Sequence, residues 1–101
     1  MDWNSLSNTE VLIEIGSRIR FNRISKKLTQ KQLAEKAGVS IFSVAKLERG
    51  ESVSISIWIA ILRAIRLLDN LELLFPEEFL SPLAVLKQTK KVEKRVRFKK
   101  S

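Results

Sequence analysis

Ser40, Ile41, Phe42, Ser43 and Lys46 stand in the first turns of a segment, Ser40 to Arg49, that has the spacing of a short helix. Lys46 can donate to guanine O6 and N7 or to a phosphate, and the two serines at the start of the segment sit where a side chain first reaches a base edge. Ile41 and Phe42 beside them are apolar on what should be an outward face. They admit three readings: contact with thymine methyls, which we favour, packing on a neighbouring protein surface, or weak base reading. At the far end, Arg49 and the backbone N–H of Gly50 are placed for the sugar-phosphate backbone.

Other chemistries are poorly provided for. The chain has no Cys, no His and no Tyr. Thiolate nucleophiles, imidazole bases, disulfides and zinc fingers are excluded, so no catalytic residue and no metal ligand is named. An enzyme would have to run on carboxylates, Lys and Ser. With only three glycines there is no phosphate-cradling loop and no cofactor is expected.

The elements that must hold Ser40 to Lys46 in place are legible upstream. Thr29 and Gln32 form a capping box that opens a helix over about Gln30 to Ala37. Leu33 and Ala37 share one face of it, and Ala34 sits where a second helix would cross. Gly38 lies one step past its end, where the backbone must turn left-handed. Ser40 caps the next helix, about Ile41 to Arg49, and Val44 and Leu47 pack it back on the first. Two packed helices alone would be weak evidence. Together with the terminal Leu-Glu-Arg-Gly, the pattern is a helix-turn-helix, the pair that lays its second helix in the DNA major groove.

A first helix is predicted over about Thr9 to Lys26, with Val11, Leu12, Ile15 and Ile19 as its apolar stripe. Gly16 within it costs about 1 kcal/mol against Ala and marks a close helix crossing. Ser54 caps a fourth helix, about Ile55 to Leu67, apolar around most of its circumference and therefore central. A short fifth, about Asp69 to Leu74, is stopped by Pro76. Ser81-Pro82 starts a sixth, to about Lys90. Past it, Val96 and Phe98 alternate with Arg, which permits a short strand as readily as disorder. The fold class is all-α, with five to six helices. The organisation is a lead-in at 1–8, a DNA-binding domain with its dimerisation region at 9–80, and a C-terminal helix and basic tail at 81–101.

The net charge of +8 is uneven. Lys87 to Ser101 holds eight Lys/Arg against one Glu, and the remainder is nearly neutral. The tail suits a polyanion or serves solubility. The apolar runs are short of a membrane span and the N-terminus lacks a basic start before an apolar core, so a cytoplasmic protein without membrane contact is expected. Leu71, Leu74, Phe75 and Leu80 exceed what one small core can cover, which points to a homodimer.

These residues resemble the Xre, or lambda-repressor-like, helix-turn-helix family over about Ile15 to Leu68. A narrower resemblance is carried by Arg49-Gly50-Glu51-Ser52-Val53-Ser54, by Ile61 to Glu72, by Leu74-Phe75-Pro76-Glu77 and by Ser81-Pro82-Leu83 with the basic tail. It is similar to HipB-type antitoxins, small regulators paired with HipA-type kinase toxins. The family resemblance implies that Gln30 and the helix N-terminus behind it contact a phosphate, and that Arg23 and Glu48 form an ion pair holding the reading helix. Ile41 and Phe42 depart from the polar readers usual there. The expectation is a dimeric autorepressor on a palindromic operator of double-stranded DNA, the antitoxin of a HipA-type kinase. The alternatives are a stand-alone phage-type or restriction–modification controller, and an interaction module that has lost base reading.

Overall fold

The computed structural model describes residues 1–77. Among them are five helices and no strand: α1 Asn8–Ser25, α2 Gln30–Ala37, α3 Ile41–Glu48, α4 Ile55–Ala64 and α5 Leu71–Leu74, with 3-10 turns at Trp3–Ser5 and Leu68–Asn70. This is the all-α architecture expected, with α2 and α3 as the helix-turn-helix pair. No helix among the described residues is long and apolar enough to cross a membrane. The chain divides after Asp69, so that α1 to α4 belong to one unit and α5 to another. Leu80, the expected sixth helix and the basic tail lie outside the described residues.

Each long helix starts on a hydroxyl cap. Thr29 Oγ1 accepts from the Gln32 N–H at 3.0 Å while the Thr29 N–H donates to Gln32 Oε1 at 2.8 Å, the capping box read from the sequence. Ser40 Oγ and Ser54 Oγ accept from the N–H groups of Ser43 and Ile57. A second capping box, between Ser7 and Glu10, opens α1 one residue earlier than expected. The lead-in has structure of its own: Trp3 stacks under the Arg18 guanidinium, 4.8 Å from the ring centre.

The same closure ends four helices. After α2, Gly38 is left-handed at φ 71°, and the Val39 N–H reaches back to the Ala34 carbonyl at 3.0 Å. After α3, Gly50 at φ 87° does likewise, with the Glu51 N–H on the Lys46 carbonyl at 3.0 Å. After α1 and α4 the left-handed residue is Lys27 and Arg66, at φ 61° and 63°. The Leu67 N–H then bonds the Leu62 carbonyl at 2.9 Å, so α4 stops at Ala64, three residues short of its expected end. Arg is not a turn former, so nothing local announced the stop.

The core is one cluster: Ile19, Leu33, Ala34, Val44, Leu47, Ile61, Leu62 and Ile65. α4 contributes its buried residues Ile61 and Leu62, with Ile65 as its C-cap, which bears out its central place. Gly16 does mark a close crossing. A Cβ there would overlap the Leu47 carbonyl oxygen and lie 2.9 Å from that of Glu48, so only a hydrogen lets α1 pass against the end of α3.

Gly16→Ala is expected to lower Tm by about 10 °C or more, reflecting a loss of about 2–3 kcal/mol, because the obstructing atoms are backbone. Arg66→Gly is expected to raise Tm by about 2–5 °C, by relieving a side chain at a left-handed position. Thermal unfolding followed by circular dichroism reads both. A neutral Gly16→Ala would mean that α1 and α3 separate without penalty.

Candidate nucleic-acid interface

α3 has two faces of different character. Val44 and Leu47, three residues apart, point inward and are 0% and 2% exposed. On the other side Phe42 is 80% exposed and Ile41 41%, and Lys46 is exposed one turn on. This outer face carries the residues named from sequence as base readers. Ser40 and Ser43 stand at its N-terminal edge, but their hydroxyls face each other at 3.0 Å, and Ser40 also caps the helix. Their polar groups are partly spent within the helix.

The inner edge of α3 ends on a node around Glu48. Arg23 of α1 donates through Nε to Glu48 Oε2 at 2.6 Å and through Nη2 to Oε1 at 3.0 Å. Its Nη1 donates to the Leu28 carbonyl at 2.8 Å. Gln30, the first residue of α2, adds a third bond to the same carboxylate, from Nε2 to Oε1 at 3.0 Å. The Arg23 and Glu48 side chains are 10% and 2% exposed. Hydrogen bonding to Glu48 raises the Arg23 pKa above its ordinary value, outweighing the opposing effect of burial. The pair suggested by the resemblance is thus present, and it is bidentate.

Gln30 was named for a phosphate, and its amide is occupied on Glu48 in the free chain. A phosphate at this helix start would meet the backbone N–H groups of α2. Sequence reasoning did not foresee this bond, because nothing local links positions 30 and 48. Arg49 is exposed beyond the helix end, and its Nε donates to Glu51 Oε2 at 2.9 Å. Gly50 follows at the left-handed turn, over Ile13: a Cβ on it would lie 2.7 Å from Ile13 Cγ1. Its N–H already donates to the Leu47 carbonyl at 3.0 Å.

Of the residues named for self-association, Leu71 and Leu74 lie on α5 and Phe75 follows it. Leu74 and Phe75 are 60% and 70% exposed, and Leu73 between α5's other leucines is exposed too, at 84%.

Residues 19–67 match the family described as helix-turn-helix. The span runs from within α1 to just past α4 and contains Arg23, Gln30, Glu48 and the whole of α3. No curated protein matches the chain.

Arg23→Ala leaves the Glu48 carboxylate buried without its main partner, and is expected to cost about 3 kcal/mol of stability and to weaken DNA binding with it. Arg23→Lys is expected to recover little, because an ammonium cannot make the paired contact. Urea unfolding and a DNA titration check the two effects. An unchanged unfolding midpoint with lost affinity would make Arg23 a phosphate contact instead.

Proposed function

We propose that this chain, a helix-turn-helix DNA-binding transcription regulator of the lambda-repressor-like kind, is a homodimeric repressor of its own promoter that reads a palindromic operator. The observation that carries the reading is the state of α3. Its inner face is locked by Val44, Leu47 and Glu48, and its outer face, with Ile41, Phe42 and Lys46, is open to solvent.

In this reading α3 enters the major groove N-terminus first. Ile41 and Phe42 lie on thymine methyls, Lys46 donates to guanine or to phosphate, and Ser40 and Ser43 flank them. The α2 N-terminus at Gln30, with Arg49 and the Gly50 backbone, sets the register against phosphates. Leu71, Leu74 and Phe75 join two protomers, and a two-fold dimer matches half-sites about one DNA turn, ~34 Å, apart.

Footprinting on the chain's own upstream region is expected to show a two-fold symmetric site with thymines under each α3. Replacing a contacted thymine by uracil should weaken binding about four-fold per methyl, matching about 0.8 kcal/mol of apolar burial. Phe42→Ala should erase the difference between thymine and uracil at the methyls that Phe42 covers and leave it at those under Ile41. Failure to retard any upstream fragment would favour the interaction-module reading, for which the exposure of Phe42 is the supporting observation.

Leu74→Glu should give a monomer in sedimentation velocity at micromolar concentration, where the parent chain sediments as a dimer, and should cost operator affinity. A monomeric parent chain would overturn the dimer.

The finer reading, an antitoxin of a HipA-type kinase, is supported by the sequence resemblance at Arg49 to Ser54, Ile61 to Glu72, Leu74 to Glu77 and Ser81-Pro82-Leu83 with the basic tail. It requires a kinase-like protein encoded beside this chain that co-purifies with it. A neighbourhood without one would leave the stand-alone regulator.

A further inference from the structure

Glu51 has no part in the interface described so far, yet it sits at its edge. The closure of α3 fixes where it goes. The Gly50 N–H returns to the Leu47 carbonyl and the Glu51 N–H to the Lys46 carbonyl, both at 3.0 Å, so the chain doubles back over the last turn. Residues 49 and 51 thereby come to one side. Glu51 Oε2 accepts from Arg49 Nε at 2.9 Å, with the two side chains 60% and 50% exposed. Arg49 holds the Glu51 carboxyl below the ordinary carboxylate range, and Lys46 contributes in the same direction. The Glu51 carboxylate is thus paired with Arg49 at the C-terminal end of α3.

We propose that Glu51 is a built-in competitor for the DNA backbone: its carboxylate occupies in the free protein the Arg49 guanidinium that a phosphate takes in the complex. This rests on the DNA-binding reading above. The pair is exposed and two residues apart, so water screens it and a phosphate can displace the carboxylate. Glu51 stays close to the phosphate after displacement, and its repulsion opposes each contact that Arg49 and Lys46 make. Neither effect depends on base sequence. Glu51 therefore sets the general strength of DNA attachment, while the base-facing residues set the choice of site.

The alternative is that Glu51 steadies Arg49 for phosphate, as a positioning residue. The two roles predict opposite signs on removing the charge. The test is a titration of the full-length parent chain, Glu51→Gln, Arg49→Gln and the double variant against two duplexes of equal length. One carries the chain's own upstream region and the other an unrelated sequence, each measured over a range of salt concentrations. Competition predicts that Glu51→Gln binds both duplexes about three- to five-fold more tightly per protomer, by similar factors on each. It also predicts a log K against log salt slope steeper by about one per protomer. In the Arg49→Gln background most of that gain should vanish.

Weaker binding by Glu51→Gln, no change in affinity and slope, or a gain confined to one sequence would each overturn the proposal while leaving the DNA reading intact. A parent chain that binds neither duplex at any salt would overturn the DNA reading, and this inference with it. The substitution is at an exposed position, and circular dichroism at each salt confirms that the variants compared are folded.

Discussion

The Glu48 carboxylate receives three hydrogen bonds from side chains of two other helices, two from Arg23 and one from Gln30. Almost no water reaches it. A buried carboxylate is costly unless its lone pairs are satisfied, and here a guanidinium fork and an amide do that. The arrangement adds less to stability than the number of bonds suggests, since desolvation of both ions offsets most of the attraction. Its consequence is geometric. α1, the start of α2 and the end of α3 meet at one point, and α3 cannot rotate about its axis without breaking a fork whose bonds lie in one plane.

Near that point the backbones of α1 and α3 come close together. Gly16 brings α1 against the last carbonyls of α3, and Gly50 passes over Ile13 one turn away along the same helix. Two close contacts and one ion pair fix the C-terminal half of α3 against α1, while Val44 and Leu47 fix its inner face against the core. The outer face is therefore presented in a set orientation at no further ordering cost. Preorganisation of this kind is what a side chain needs to report base identity rather than charge alone.

The outer face is unusual in what it presents. Phe42 and Ile41 offer apolar surface to water, and the serines beside them turn their hydroxyls toward each other and toward the helix backbone. Polar donors for a base edge are scarce, apart from Lys46. A surface of this type gains by covering methyl groups and gains little from hydrogen-bond readout. The charges nearby are arranged with equal economy, since Arg49 at the close of α3 is already paired with Glu51.

Much of the fold was legible before any coordinates, and the division follows the range of the interaction. The capping box at Thr29 and Gln32, the caps at Ser40 and Ser54, the left-handed Gly38 and the alternation of inner and outer residues on α3 depend on neighbours within about one helical turn, so residue types alone determined them. The Ser7–Glu10 box was equally readable and was simply passed over. What the tertiary structure decided lies at longer range or breaks the local rule. Arg66 at a left-handed turn cut α4 short, although an arginine carries no such signal. Gln30 was drawn to a carboxylate eighteen residues away. Gly16 gained its partner, and Glu48 its burial, only when α1 crossed α3. A sequence specifies which groups can satisfy one another nearby; which distant groups come to share a buried space depends on how the helices cross, and only packing sets that.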